Sequence, residues 1–438
     1  VDIKQWKAKN NNRRNYAHFD NRISLGDVWS YINNPKNIEK HSFYPFIHYI
    51  QTFNKYTKNK GLVTKERELC YSAHIDRCIF QLYGYKLNQL YNLRVEQDGI
   101  GKSAIAYRDN LGKNNIHFAK QAIDYIREKE SCFIIIGDFT KFFDNLDHKY
   151  LKKMLVDLLE IVELPSDYYA VYKNITKFST WDLKSILDIN GLPESNDGIK
   201  KLNKLERALS LDQFKKYKKL NVKKNDQKHG IPQGSPISAV LSNIYMLEFD
   251  KILNDFICHR DGLYMRYCDD FLIVLPKSSK DVFKEHFSII NNIIKSTPKL
   301  NLQPDKSQVF RFKDNSIINC NNLVLEGIEN GKNFLNYLGF TFDGSLVAIR
   351  DKTISKYYYR MYRKLKTVEK NHGRSKYGHK ISCNNIYEKY SIKGANVGKG
   401  NFISYVRRAE IIFGKNEAIN RATKNHMQKI RRRLNFVK

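Results

Sequence analysis

An α+β fold follows from the pattern of apolar residues along the 438-residue chain. Residues 132–136 (CFIII), 264–267 (YMRY) and 271–275 (FLIVL) are short, rich in β-branched or aromatic side chains, and have the length of buried strands. Longer segments with apolar residues at helical spacing separate them, such as 116–129 (IHFAKQAIDYIREK). Apolar residues make up 42% of the chain, an ordinary globular share. At roughly 100–200 residues per domain, the length accommodates several domains.

Taken in order, residues 1–60 are polar and aromatic and read as an N-terminal extension. Its basic start, VDIKQWKAKNNNRR, is followed by no apolar stretch, so no signal peptide is expected. No run approaches the ~20 apolar residues of a membrane span. Residues 65–95 predict a helix whose apolar stripe carries Leu69, Ile75, Ile79 and Leu82. Residues 116–129 predict a second helix, 132–136 a buried strand, and 146–160 a further helix. Residues 163–228 are polar and mixed, without a clear assignment. Residues 235–257 predict one long helix, with Ser235-Pro236 as its start signal. Residues 264–267 and 271–275 predict two strands around a tight polar turn.

Charge narrows the partner class. Lys and Arg number 76 against 45 Asp and Glu, a net of +31. Such a surface repels itself unless a polyanion neutralises it, and nucleic acid releases counterions when it does so. Residues 346–438 hold 24 Lys or Arg against 5 Asp or Glu, a net of +19. Within them, 353–369 (TISKYYYRMYRKLKTVE) predicts a helix that interleaves Tyr with cations, a mixture suited to bases and phosphates together. A merely solvated basic face is the plain alternative. The seven Cys form no CxxC pair and no zinc spacing with His, so reduced thiols are expected.

Three segments carry chemistry. In Tyr267-Cys268-Asp269-Asp270, adjacent carboxylates sit between two apolar strands, where like charges raise each other's pKa unless a hard divalent cation such as Mg²⁺ binds them. A polar hairpin turn is the structural alternative. In FIIIGDFTKFFDNLDH, Asp138 ends an apolar strand and can face that hairpin if the strands share a sheet. Three carboxylates can then hold two metals for in-line phosphoryl displacement; a helix cap is the alternative role for Asp138. In HGIPQGSPIS (229–238), a turn bounded by Gly and Pro enters a helix with backbone open to a polymer.

These segments resemble motifs A (DFTKFFDNLDH), B (GIPQGSPISAVLSNIYMLEFD) and C (YMRYCDDFLIVL) of reverse transcriptases, in that order. NLQPDKSQV resembles motif D, NYLGFTFDG the primer-grip motif E, and KERELCYSAHIDRCIF with AYRDNLGKNNIHFAKQAIDYI the two finger motifs. The resemblance runs from about residue 61 to 344. It implies a right-hand polymerase: fingers at 61–130, a palm with an antiparallel sheet at 131–345 carrying an insertion at 163–228, and a basic helical thumb and tail at 346–438. It implies two Mg²⁺, or Mn²⁺, held by Asp138, Asp269, Asp270 and the Phe139 carbonyl, and Phe143 as the steric gate against a ribose 2′-OH. Gln233 and Gly234 would touch the incoming dNTP and template, Lys306 would donate a proton to pyrophosphate, and Lys65, Arg67 and Arg108 would reach the triphosphate.

HSFYPFIHYI, IAYR and the tail segment YGHKISCNNIYEKYSIKG are similar to the "unknown group" of bacterial reverse transcriptases of antiphage defence, and the compact length to their type 2 defence-associated enzymes. That implies a cytoplasmic bacterial enzyme that copies a cognate structured non-coding RNA into cDNA. An untemplated DNA polymerase of abortive-infection type, an RNA-copying polymerase and a non-catalytic maturase-like RNA-binding protein stay open. Intact carboxylates count against the last, and Phe143 against RNA synthesis.

Overall fold

The computed structural model describes residues 2–57, 61–374, 383–395, 400–415 and 417–434. In chain order its strands are β1 (Phe46–Thr57), β2 (Gly61–Tyr71), β3 (Ser131–Asp138), β4 (Ser179–Asp182), β5 (Val222–Lys224), β6 (Leu263–Tyr267), β7 (Asp270–Pro276), β8 (Gln308–Lys313), β9 (Ser316–Asn319), β10 (Leu335–Tyr337), β11 (Phe340–Phe342) and β12 (Val347–Ile349). The central sheet has the order β6-β7-β3-β8-β9, and every pair in it is antiparallel. The fold is that of a right-hand polymerase, and this sheet is its palm.

β3 explains its own apolar run. It lies between β7 and β8 and is covered on both faces, so successive side chains serve two cores. Phe133 and Ile135 join the larger core with helices His74–Gln97, His148–Leu158, Ser238–Tyr245, Leu247–Cys258 and Lys280–Ser296. Cys132 and Ile134 join a second core with helix Asn115–Arg127, the β10-β11-β12 sheet and helix Phe402–Phe413.

Two helix expectations need correction. Residues 65–71 are not helical; they form β2, paired with β1 from Ile47↔Tyr71 to Thr57↔Gly61. The helix starts only at His74, where the Asp20 carboxylate accepts the backbone N–H groups of His74 and Ile75 at 2.9 and 2.8 Å. That cap comes from a distant segment, so no local signal marks it. The long helix expected at 235–257 is two helices, Ser238–Tyr245 and Leu247–Cys258, separated at Met246. Its start is delayed because Ser238 donates its hydroxyl to the Pro232 carbonyl at 2.7 Å and holds the entering turn.

The boundary placed at residue 60 separates β1 from β2, two strands that pair with each other. The 163–228 segment contributes β4 and β5, which extend that hairpin in the order β2-β1-β4-β5. Ala17 and Phe19 of the N-terminal segment share one small core with Trp181, Ile186, Leu202 and Leu209. The tail also packs. Tyr357, Met361, Leu365 and Val368 of helix Asp351–Lys370 meet Ile386, Ile403 and Ile430, and the Phe413 ring lies 4.9 Å from Phe340. Residues 377–382 of the YGHKISCNNIYEKYSIKG segment lie outside the described residues.

One polar node fastens these parts. Arg266 on β6 donates to both carboxylate oxygens of Asp250 at 2.8 and 2.6 Å, and neither side chain reaches solvent. Tyr264 donates to Asp250 at 2.6 Å, and Arg266 also donates to the Cys268 carbonyl at 3.0 Å and to Asn243 at 3.3 Å. The Asn243 amide then donates to the Ala106 carbonyl at 2.9 Å. Breaking a buried pair strands a charge, at a cost of ~3–5 kcal/mol. Asp250→Ala is therefore expected to lose about that much stability in urea unfolding, and Asp250→Leu combined with Arg266→Met to recover a large part of it. A single variant as stable as the parent would show that the node is not structural.

Candidate active site

The end of β3 and the start of β7 meet in register, with Asp138 directly opposite Asp270. Opposed antiparallel residues have Cα atoms about 4.5–5.5 Å apart and side chains on one face, so two acidic side chains are forced into proximity. Tyr267 pairs with Asp270, leaving Cys268 and Asp269 as the turn. Cys268 takes φ +63°, a conformation that such tight hairpin turns usually give to Gly. Asp269 thus sits at the hairpin tip, and its carbonyl accepts the Phe139 N–H at 3.2 Å.

Gly137 makes the pairing possible. A Cβ built there would stand 2.2 Å from the Phe271 ring, which itself packs 5.2 Å from Phe139. The segment after β3 is fixed by Thr140 N–H on Asn301 O at 2.9 Å and Gln303 N–H on Asp138 O at 2.7 Å. That places Lys306, whose ammonium donates to Asp138 Oδ1 at 2.6 Å. The Phe139 carbonyl accepts no hydrogen bond among the described residues.

The HGIPQGSPIS loop closes the other side. Ile231 N–H donates to the Phe143 carbonyl at 3.0 Å, and Cys70 N–H of β2 donates to the Gln233 carbonyl at 2.8 Å. Gly234 has φ +112°, and a Cβ there would lie 2.2 Å from the Cys70 carbonyl, so no other residue fits the contact. Gln233 also borders a cavity of about 520 Å³ with Cys70, Asp144, Phe178 and Asn221. Phe143 is half-buried against Phe142, their ring centroids 5.5 Å apart.

Burial and like charge crowd the carboxylates of the site. The Asp270 carboxyl opens to the cleft, yet loss of water around it, then the charges of Asp269 and Asp138, push it up to about 7 against the pull of Lys306. Asp269 is raised for the same reasons, burial first and Asp138 second. No three carboxylate, imidazole or thiol groups among the described residues converge closely enough to enclose an ion, and Asp138 is turned to Lys306. The donor set still suits a hard divalent cation, because mutual repulsion of oxygen ligands is what such an ion removes. Asp138, Asp269, Asp270 and the Phe139 carbonyl are the groups that would hold it.

A family model described as reverse transcriptase (RNA-dependent DNA polymerase) matches residues 74–342, well over half of the chain. The chain belongs to the reverse transcriptase family. No protein of established function matches it over its sequence. Among solved structures, it is similar to apo telomerase from Candida tropicalis truncated from its C-terminal domain, at 12% identity and TM-score 0.43, covering 75% of this chain and 61% of that one. It is also similar to telomerase from Candida albicans in complex with a fragment of telomeric RNA, at 14% identity and TM-score 0.40, covering 92% and 58%. The chain thus spans about three-fifths of the length of those telomerase chains.

In this reverse transcriptase fold, the finger residues divide. Lys65 and Arg67 are exposed on β2, sharing a face opposite Glu66, Glu68 and Cys70; the structure does not tie them to the carboxylates, and neither is in an ion pair among the described residues. Arg108 is corrected. Its side chain is wholly buried, donating to Asn92 at 3.0 Å, to the carbonyls of Gly101 and Ala104 at 2.6 and 3.2 Å, and to Glu96 at 2.7 Å. With four of its five N–H groups bonded inside the protein and its side chain shut off from solvent, it braces the 101–108 loop and is not presented to a triphosphate. Sequence reasoning missed Arg266, Asp250 and Gly137. Two signals were available: a charged residue inside the apolar run YMRY and a Gly inside FIIIGD.

The raised Asp270 carboxyl sets a sign. Between about pH 4, the unfolded value, and pH 7, the folded chain keeps a proton that the unfolded chain has lost, so its stability falls as pH rises through that window. Without divalent metal, Asp270→Asn is expected to melt above the parent at pH 8, the gap closing toward pH 4. Mg²⁺ should raise the parent's Tm more at pH 8 than at pH 5. Melting curves at those pH values decide it; an Asn variant no more stable at pH 8 would refute the assigned repulsion.

Proposed function

We propose that this chain is an RNA-directed DNA polymerase that extends a primer 3′-hydroxyl with dNTPs by a two-metal mechanism. The pairing of Asp138 with Asp270, with Asp269 at the adjoining tip and Lys306 on Asp138, carries the reading. Divalent ions held there would activate the 3′-hydroxyl and neutralise the leaving pyrophosphate. The chain's own groups do the rest. Asp138, Asp269 and Asp270 supply the anionic oxygens, and the Phe139 carbonyl is available beside them. Phe143 stands against the 2′ side of the sugar, the Gln233–Gly234 backbone turn offers a close approach to the nucleotide, and Lys306 carries a proton toward the departing pyrophosphate. Lys65 and Arg67 are the exposed finger cations left for the triphosphate.

The finer reading rests on the N-terminal and tail segments similar to defence-associated enzymes and on the +19 carried by residues 346–438. We infer a cognate structured non-coding RNA as template, a cDNA product, and antiphage defence in bacterial cytoplasm. Sequencing the nucleic acid that copurifies with the chain tests this; a mixture without one enriched RNA or its complementary DNA would count against it.

Two substitutions test the chemistry. Asp269→Ala/Asp270→Ala should lower primer extension by on the order of 10²–10³-fold or more while RNA affinity, which rests on the basic surface, stays within a few fold. Phe143→Ala should shift the rNTP-to-dNTP incorporation ratio upward by as much as about a hundredfold. Parent-like extension by the first variant, or an unmoved ratio in the second, would remove the corresponding role.

A further inference from the structure

Lys306 reaches Asp138 because of how β8 enters the palm sheet. The β3–β8 pairing runs antiparallel from Ser131↔Lys313 to Ile136↔Gln308. Carried two residues further, the same register sets Lys306 across from Asp138. On its other flank Asp138 faces Asp270 of β7. One carboxylate thus stands between an acid and a lysine, both placed by strand register. The chain before Lys306 is fastened to the same spot. Gln303 N–H bonds the Asp138 carbonyl at 2.7 Å, the Thr140 hydroxyl donates to the Leu302 carbonyl at 3.2 Å, and Phe139 bridges Leu302. A single turn, Pro304–Lys306, follows, and Lys306 N–H closes it on the Gln303 carbonyl at 3.1 Å.

The two partners are unequally free. The Asp138 side chain is 11% exposed and sits on a central strand, whereas the Lys306 side chain is 48% exposed. With its backbone held and its end open to water, Lys306 can leave Asp138 by side-chain rotation alone, a fast motion that moves no strand. Among the described residues, no other cation forms an ion pair with Asp138, Asp269 or Asp270. The Lys306 ammonium bonds one oxygen of one acid, whereas a divalent ion needs oxygens from several at once. Lys306 therefore occupies part of the donor set, and its charge opposes a second cation beside it.

We propose that Lys306 is a resident cation that competes with the divalent ion for Asp138, so that the empty site is charge-compensated and takes up an ion only as Lys306 withdraws. It rests on the reading of the chain as a polymerase and adds a condition to it. An ammonium bonded to Asp138 is not yet free to follow the pyrophosphate, so vacating Asp138 for an ion is what releases Lys306 to the phosphates.

The test counts bound Mn²⁺ by electron paramagnetic resonance on the full chain without nucleotide. Lys306→Met should bind Mn²⁺ about tenfold more tightly than the parent, the low end of what a hydrogen bond between charged groups is worth, because the lysine end is open to water. Lys306→Arg keeps the charge and can bond the carboxylate, so it should bind as weakly as the parent. Lys141→Met removes a charge from the same segment, exposed and in no ion pair among the described residues, and should change the affinity by less than about twofold. In EDTA, Lys306→Met should melt below the parent, because three acids then lack a counter-ion, and Mn²⁺ should raise its Tm by more than it raises the parent's. Equal tightening in the Lys306→Met and Lys141→Met variants, or no tightening in Lys306→Met, would overturn the competition. A parent chain that extends no primer would defeat the polymerase reading and leave the Mn²⁺ comparison standing.

Discussion

Arg266 and Asp250 form an ion pair wholly cut off from water, and the candidate site is assembled around it. The pair has little to gain from Coulomb attraction once desolvation is counted. What it supplies is position. Arg266 also donates to the Cys268 carbonyl in the β6–β7 turn and to Asn243 of helix Ser238–Tyr245, and its own backbone pairs with the 103–105 loop. One guanidinium therefore fixes the strained turn that carries Asp269, the helix that follows Gln233, and the loop that carries Tyr107.

That rigidity has a chemical purpose. Asp138 and Asp270 are opposed across two central strands, and a flexible pair would separate to relieve repulsion. The sheet prevents it, and burial together with the neighbouring carboxylates raises the Asp269 and Asp270 carboxyls. Lys306 answers part of it by bonding Asp138. In the proposed mechanism the same lysine, an internal counter-ion to Asp138 here, would carry the proton to the departing pyrophosphate.

The periphery is less modular than its charge distribution suggests. The N-terminal segment and the 163–228 segment meet in one core around Trp181 and add strands to the finger hairpin. The basic tail folds back to place Val406, Ala409 and Phe413 in the second core of the palm. Its cations stand on the outside of packed helices, where Lys429 lies 3.9 Å over Tyr358 and Arg433 4.8 Å over Tyr362. Packing and charge thus occupy opposite faces of the same helices, one holding the fold and the other open to a polyanion.

The sequence alone showed three of the five central strands (β3, β6 and β7), helix Asn115–Arg127, the order of the motifs, and Asp138, Asp269 and Asp270 as the carboxylates to watch, because buried strands and the acids at their ends stand out in short contiguous runs; it did not show β8 or β9. It did not determine the start of helix His74–Gln97, whose cap is Asp20, or the strand at 65–71, whose partner is the preceding strand rather than its own neighbours. It assigned Arg108 to the triphosphate, whereas the fold spends every one of its contacts on Asn92, Glu96 and two backbone carbonyls. A guanidinium reads the same in sequence whether it faces water or a buried carbonyl. Only tertiary structure decides, because desolvation and hydrogen-bond geometry depend on groups brought together from distant parts of the chain.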